Sequence, residues 1–185
     1  MKKVLAIITM FSFMVAGEMG LSAYGGLGLA NMTTTMDTEM KMGMKPGLTI
    51  GVTYDKLPVI VGGGISFRGS VWSHDSMPDD VKVSYTYLDL LALYPYAAGP
   101  GNIMAGLNIG VNLSATADDG TDSEDVEDVS GLDYGLYIGY SYPINETMAV
   151  NAGYYLGLAN ADASDSDETV KHNGIILTVG YALPF

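Results

Sequence analysis

At 185 residues, the chain has the length of one ordinary domain, and its 24 glycines, 13 tyrosines and 16% charged residues are an unusual mixture for a soluble globule. It contains no cysteine, which excludes disulfides, thiolate metal sites and lipid attachment at a cysteine. Only 8 Lys and Arg residues stand against 21 Asp and Glu, for a net charge of −13, so a basic surface for nucleic acid is excluded.

The chain starts with a segment that has the features of a secretory signal peptide. Lys2 and Lys3 precede the apolar run of residues 4–16, and small residues suited to cleavage follow. This run of 13 residues falls short of the roughly 20 that a membrane-spanning helix requires. We therefore expect an exported protein with a signal peptide at residues 1–23, cleaved after Ala23 or alternatively after Gly17, and one mature domain at residues 24–185.

The rest of the chain divides into eight apolar or alternating stretches, each of which is predicted to be a strand. They are residues 24–32, 46–55, 59–69, 81–96, 102–114, 130–142, 147–159 and 171–185. The connections alternate in length: residues 33–45, 70–80, 115–129 and 160–170 are long, whereas residues 56–58, 97–101 and 143–146 are short. Four long loops at one end and three short turns at the other predict an up-and-down antiparallel β-barrel with both termini at the short-turn end.

Side-chain alternation indicates which face of this barrel points outward. In the last predicted strand, one face carries Ile175, Leu177, Val179, Tyr181, Leu183 and Phe185, and the other carries Gly174, Ile176, Thr178, Gly180 and Ala182. The predicted strands at 46–55, 102–114 and 130–142 repeat the pattern. A soluble barrel would place Lys, Glu and Arg on its outer face, whereas the second faces here hold Gly, Asn, Ser, Thr and Ala. We therefore predict that the apolar face meets lipid and that small residues fill a narrow interior without an open channel.

The aromatic residues favour the same orientation, because Tyr and Trp concentrate at membrane interfaces. A predicted girdle near the short-turn end consists of Tyr54, Tyr94, Tyr96, Tyr140 and Tyr142, together with Tyr181 and Phe185. A second girdle near the loop end is predicted from Phe67, Trp72, Tyr85, Tyr87 and Tyr134.

The C-terminal sequence Tyr181-Ala182-Leu183-Pro184-Phe185 resembles the C-terminal signal of outer-membrane β-barrels, with an aromatic residue at the end and another four positions earlier. The segment Tyr87-Leu88-Asp89-Leu90-Leu91-Ala92-Leu93 is similar to a strand of the small OmpX and OmpA-transmembrane barrels, although the usual proline is absent. The resemblance implies an eight-stranded transmembrane barrel in the bacterial outer membrane, with short periplasmic turns and long extracellular loops. It also implies that Tyr181 and Phe185 form the signal that the barrel assembly machinery recognises.

Five charged residues lie within or at the ends of predicted strands, where inward-facing charges would have to pair. They are Asp55, Arg68, Lys82, Asp89 and Asp133, and we predict that they form an ion-pair network that plugs the lumen. Tyr85 and Asp89 share parity in the fourth strand, although a tyrosine should face lipid and an aspartate should face the interior. We therefore predict a β-bulge between Tyr85 and Leu90.

The third and fourth long loops are rich in carboxylates. The third contains Asp118, Asp119, Asp122, Glu124, Asp125, Glu127 and Asp128, and the fourth contains Asp162, Asp165, Asp167 and Glu168. Asp118, Asp119, Asp122 and Glu124 are weak candidates for Ca²⁺ ligands, because this ion prefers oxygen. Their spacing matches no defined calcium loop, so we favour a solvated anionic surface.

His74-Asp75-Ser76 is the one arrangement that suggests nucleophilic catalysis, and its place at a polar loop tip favours an incidental turn. His172 stands alone at a strand start and is predicted to be structural or exposed. We predict an outer-membrane barrel with a structural or surface-interaction, adhesion-like role, with neither a catalytic site nor a cofactor. The alternatives are a narrow porin-like channel, a lipid A-modifying enzyme and a secreted soluble ligand-binding β-barrel.

The expected partners follow from this location. They are outer-membrane lipid and lipopolysaccharide, the barrel assembly machinery and an extracellular protein ligand of the loops. We expect the protein to act as a monomer.

Overall fold

The strands pair in chain order, each antiparallel to the next, and the last one returns to the first. The computed structural model describes residues 20–35, 41–74, 79–164 and 168–184. Over these residues the barrel strands are β1 (Leu21–Thr34), β2 (Lys41–Tyr54), β3 (Ile60–Ser73), β4 (Val81–Ala98), β5 (Gly101–Asp118), β7 (Leu132–Pro143), β8 (Met148–Gly157) and β9 (Val170–Ala182). A short strand, β6 (Ser123–Asp125), folds back on the end of β5 and extends the sheet at the loop end, on the edge of β5 that also pairs with β7.

Pairing of β1 with both β2 and β9, and of β4 with β5, closes the sheet into an eight-stranded antiparallel barrel over the described residues. The predicted up-and-down topology is confirmed, with the short connections β2–β3, β4–β5 and β7–β8 at the end that also holds Gly20 and Pro184. We call this the short-turn end and the opposite end the loop end. In the part of the chain that the structure describes, no helix is long and apolar enough to cross a membrane.

Several strands are longer than predicted, chiefly at the loop end. β2 begins at Lys41 where the sequence predicted a start at Pro46, and β5 continues to Asp118 where an end at Ser114 was predicted. Proline is tolerated within β2 because the pairing with β3 shifts register between Met44 and Thr49, which places Pro46 at an irregularity.

The outward face of the barrel is apolar, as the alternation predicted. In β9, Leu177 is 52% exposed and Val179 and Tyr181 are exposed beside it, whereas Thr178 is buried inside. In β5 and β7, the exposed side chains include Ile103, Leu107, Ile109, Leu136 and Ile138. Because these side chains have no protein neighbours that cover them, hydrocarbon is the environment in which this surface is stable.

The outer face changes character near the loop end, where polar residues replace the apolar ones. The outward positions there are Asn31 and Thr33 in β1, Lys82, Ser84 and Thr86 in β4, Ser114 and Thr116 in β5, and Lys171 and Asn173 in β9. The wall beyond this level therefore has a water-facing exterior like that of a soluble barrel.

The β4–β5 pairing shifts register between Thr86 and Tyr87, inside the predicted interval, but β4 does not exchange its inner and outer faces there as predicted. Tyr85, Tyr87 and Asp89 all face the interior, and β4 keeps one parity from Val83 to Leu93. The register shift lies in the partner strand: Thr86 pairs with Ser114 and Tyr87 pairs with Asn112, so Leu113 is the extra residue in β5.

The aromatic residues near the short-turn end lie on the outer surface. Tyr94, Tyr96 and Tyr142 are exposed, Tyr54 is half-buried, and the half-buried Tyr140 donates a hydrogen bond of 2.8 Å to the carbonyl oxygen of Ala98. At the loop end, Phe67 and Tyr134 are exposed, but the prediction was wrong for three residues. Tyr85 and Tyr87 are buried inside the barrel, and Trp72 packs against the same interior cluster.

The barrel wall includes residues that the preferred signal-peptide cleavage would remove. Residues 21–23 pair with residues 52–54 of β2, and the N–H of Leu183 donates a 2.9 Å hydrogen bond to the carbonyl oxygen of Leu21. Cleavage after Ala23 would delete these contacts of β1 with β2 and with the end of the chain, whereas cleavage after Gly17 keeps them.

We therefore expect the mature chain to begin at Glu18. Intact-mass measurement of the protein extracted from outer membranes checks this expectation. A mass that corresponds to a chain starting at Tyr24 would contradict it. Residues 1–19 lie outside the described residues.

Candidate functional site

A buried charge cluster closes the middle of the lumen. Arg68 on β3 donates to Asp133 on β7 (Nη1 to Oδ2, 2.6 Å) and forms a second salt bridge through Nη2 with Oδ1 of Asp89 on β4. The side chains of Arg68, Asp89 and Asp133 are 9%, 6% and 2% exposed, respectively. Arg68 therefore links β3 to β7, although β4 and β5 lie between these two strands in the wall.

Glycine in the intervening strand makes room for this arrangement. Asp89, Gly110 and Asp133 are directly opposite one another on β4, β5 and β7. A Cβ at Gly110 would lie 3.0 Å from Oδ1 of Asp89 and 3.0 Å from the ring of Tyr87. The missing side chain leaves the space in which Arg68 meets both carboxylates.

Two aromatic rings pack against the guanidinium. Its Cζ atom lies 4.8 Å from the ring centroid of Tyr87 and 4.7 Å from that of Tyr155. The Tyr155 hydroxyl donates a 2.9 Å hydrogen bond to Oδ2 of Asp133, and Arg68 Nε donates to Ser66 Oγ at 3.1 Å. These contacts fix the plane of the guanidinium as well as its charge.

An apolar cluster fills the lumen between the charge cluster and the loop end. Its buried members are Met32, Val83, Tyr85, Tyr87, Ala115, Ala161 and Val170. His172 belongs to the boundary between the two clusters: its Nε2 is 3.1 Å from the Tyr87 hydroxyl, and its ring meets Tyr85 edge-on at 4.8 Å. The predicted interior of small polar residues is therefore wrong for this half, because the wall there is polar outside and apolar inside.

The other half of the lumen contains open space, with polar groups set among a mainly apolar lining. A cavity of about 400 Å³ extends from the charge cluster to the short-turn end. Its lining includes Ser22, Asn102, Ser141, Asn151 and Thr178. The charge cluster and the apolar cluster separate this cavity from the loop end.

The structure joins three of the five predicted lumen charges and separates the other two. Arg68, Asp89 and Asp133 form the charge cluster. Asp55 is exposed at the short-turn end, and Lys82 is exposed on the outer wall of β4 near the loop end. Lys82 has the parity of Ser84 and Thr86, so its side chain does not enter the lumen.

Sequence reasoning did not assign Tyr87, Tyr155 or His172 to this cluster. All three share the interior parity of their strands, and His172 is 1% exposed. The alternation in β9 that placed Thr178 inside also places His172 inside, six residues earlier. This alternation was the signal from which the position of His172 could have been predicted.

The carboxylates of the third loop lie on the surface around the β5–β6 hairpin. Backbone N–H groups of Asp122 and Thr121 each donate a 2.9 Å hydrogen bond to Asp119 Oδ1, and these bonds hold the pKa of Asp119 below its usual value. Among the described residues, no group of three or more His, Asp or Glu side chains is arranged to hold a metal ion, and Asp118, Asp119, Asp122 and Glu124 remain exposed.

The remaining sequence candidates lie at the edges of the described structure. His74 follows β3, whereas Asp75 and Ser76 lie outside the described residues. Tyr181 of the predicted assembly signal points outward from β9, and Phe185 lies outside the described residues.

Comparison with known proteins identifies a family and a set of related folds. A family model described as "Outer membrane protein beta-barrel domain" matches residues 12–163. No curated protein sequence matches the chain.

Three solved structures share the fold over nearly the whole chain. Neisserial surface protein A (NspA) superposes with a TM-score of 0.67 at 13% identity, covering 89% of this chain and 97% of that one. The attachment invasion locus protein Ail of Yersinia pestis, solved with the heparin analogue sucrose octasulfate, gives 0.52 at 17% identity, covering 90% and 100%. OprG of Pseudomonas aeruginosa gives 0.53 at 13% identity, covering 91% and 99%.

Proposed function

Because the chain belongs to the outer membrane protein beta-barrel domain family, we propose that it is a surface-interaction barrel of the bacterial outer membrane whose lumen is closed to solutes. The charge cluster and the apolar cluster inside the lumen support the proposal. Arg68, held between Asp89 and Asp133, and the apolar cluster beyond it leave no continuous polar path between the two ends over the described residues. A barrel without a conducting channel would interact with molecules outside the cell through its loop end.

The chemistry of the loop end indicates the kind of partner. Residues 118–128 carry seven carboxylates and contain neither Lys nor Arg, and the described ones are exposed. Such a surface attracts basic protein surfaces and repels polyanions. Ail was solved with a sulfated heparin analogue. This chain shares the fold with Ail, but its acidic third loop favours a cationic partner over such a polyanion.

Closure of the lumen is tested by conductance in planar lipid bilayers. We expect the purified, folded protein to give no conductance steps above those of the detergent blank. Heat-modifiable gel migration, in which the unboiled form runs faster, verifies that the inserted protein is folded. Reproducible single-channel steps from such protein would contradict the proposal and favour a narrow porin-like channel.

The partner preference is tested by binding to a basic protein such as lysozyme and to sucrose octasulfate. We expect lysozyme to bind, sucrose octasulfate not to bind, and the lysozyme complex to weaken as salt screens the charges. The variant Asp122→Asn/Glu124→Gln/Asp125→Asn should bind lysozyme about tenfold more weakly, a change of about 1.4 kcal/mol.

The control is Asp55→Asn, which removes a carboxylate from the opposite, short-turn end. Equal binding of lysozyme by the loop variant and the wild type would contradict a role for the acidic loop. The appearance of deacylated lipid A on expression, abolished by His74→Ala, would instead favour an enzyme.

A further inference from the structure

A small pocket opens at the loop end, above the apolar cluster. Its volume is about 210 Å³. Met32, Trp72 and Tyr85 contribute its apolar floor, and Glu127, Asp128 and Asp162 belong to its lining where the third and fourth loops meet. None of the described residues that line this loop-end pocket is a Lys or Arg.

Backbone hydrogen bonds between the loops fix the shape of the pocket. Ser130 N–H donates to Ala161 O at 2.9 Å, Ala163 N–H donates to Asp128 O at 2.8 Å, and Val129 forms an isolated bridge with Asp162. Val126 is anchored to the wall of β5 through a 3.0 Å bond from its N–H to Ala115 O. The segment that carries Glu127 and Asp128 is thus held against the mouth of the barrel at both of its ends.

The floor suits an apolar ring. The Trp72 indole N–H already donates to Ser70 Oγ, so the indole offers its carbon surface to the pocket. A cavity of roughly 150 Å³ is enough for benzene, whereas drug-sized ligands occupy roughly 300–1,000 Å³. A volume of about 210 Å³ therefore fits a single ring with a short substituent.

The acidic residues decide the charge of that substituent. Both carboxylate oxygens of Asp162 already accept hydrogen bonds from Ser164, whereas Glu127 and Asp128 are exposed beside the apolar floor and favour a cation there. An anionic ligand would meet like charges, and a neutral one would gain nothing from the carboxylates.

We propose that the loop-end pocket binds a small primary ammonium compound that carries one apolar ring. The ring occupies the floor formed by Met32, Trp72 and Tyr85, and the ammonium group lies beside Glu127 and Asp128. This site takes a small molecule and shares Glu127 and Asp128 with the acidic surface of residues 118–128, whose protein binding is tested at Asp122, Glu124 and Asp125, outside the pocket.

The chain provides its own reporter, because Trp72 is its single tryptophan. We would titrate 2-phenylethylamine into the folded protein in zwitterionic detergent micelles and follow Trp72 fluorescence. Saturable binding is expected, with 2-phenylethanol, which has the same ring without the charge, at least about tenfold weaker. The anion 3-phenylpropionate should not bind.

The variant Glu127→Gln/Asp128→Asn should weaken amine binding about tenfold and leave the weak binding of the alcohol unchanged. Asn adopts the left-handed conformation that Asp128 has at a φ of 56°, so this variant keeps the loop backbone. Asp122→Asn/Glu124→Gln removes the same charge outside the pocket and serves as the matched control.

Three results would overturn the proposal: no saturable fluorescence change with the amine, equal affinity for the amine and the alcohol, or equal weakening by both double variants. None of them bears on lysozyme binding, which is measured with the Asp122, Glu124 and Asp125 substitutions. Failure of the pocket and failure of the protein-binding surface are therefore distinguishable.

Discussion

Replacing Arg68 by alanine is expected to lower the free energy of unfolding by about 3–5 kcal/mol, the range seen when one partner of a buried charge network is removed. Asp89 and Asp133 would remain buried without their cation, and the Tyr87 and Tyr155 rings would lose their contact with the guanidinium. Urea-induced unfolding of the protein in phospholipid vesicles measures this change.

Two further variants separate charge from packing. Arg68→Met/Asp89→Asn/Asp133→Asn removes the charges together and should recover most of the lost stability, because no uncompensated charge remains. Lys82→Met removes a cation from the exposed outer wall and should change stability by no more than about 0.5 kcal/mol. If Arg68→Ala were as mild as Lys82→Met, the charge cluster would not hold the lumen together.

Replacing Leu177 by arginine should cost about 2–4 kcal/mol, the penalty for a cation at the midplane of a lipid-facing barrel wall. Leu177 is exposed on the outer face of β9 and pairs with Leu27 and Ala152 in the apolar belt. The same urea titration in vesicles measures the effect.

The matched control is Asp125→Arg, which places the same side chain in the exposed β6 segment and should fall within about 0.5 kcal/mol of the wild type. Equal stability of the Leu177→Arg and Asp125→Arg proteins would mean that the outer face of β9 does not lie in hydrocarbon. The orientation of the whole barrel would then have to be revised.

The barrel was predictable because its signal is local. Two-residue alternation placed Leu177, Val179 and Tyr181 outside and Thr178 inside without knowledge of any partner strand. The alternation of long and short connections gave the topology, and the predicted family resemblance is confirmed by the family match over residues 12–163.

The interior was harder to predict because the rule that apolar and aromatic side chains face lipid was applied along the whole length of each strand. Tyr85 and Tyr87 were assigned to the membrane interface, but β4 passes from lipid to water between Leu88 and Lys82. Above that level an inward tyrosine and an outward lysine are the stable arrangement, as in a soluble barrel. A polar outward run such as Lys82, Ser84 and Thr86 was the available signal.

The membership of the charge cluster could not be read from the sequence, because it depends on contacts across the lumen. Arg68 and Asp133 are 65 residues apart and meet only through the stagger of the closed sheet. Asp55 and Lys82 carry charges like those of the cluster members, but Asp55 lies at the short-turn end and Lys82 lies on the outer face near the loop end.

The length of β4 and β5 has a further consequence. Each has 18 residues, whereas about 9–11 tilted residues are enough to cross a bilayer. At about 3.4 Å per residue and a tilt of roughly 40°, such strands rise to roughly 45 Å, well above an apolar band of about 25 Å. On the side formed by β4 and β5, the wall therefore extends well beyond the apolar band, whereas β7 and β8, with 12 and 10 residues, end lower. A macromolecule outside the cell can contact this taller side of the loop end without entering the hydrocarbon.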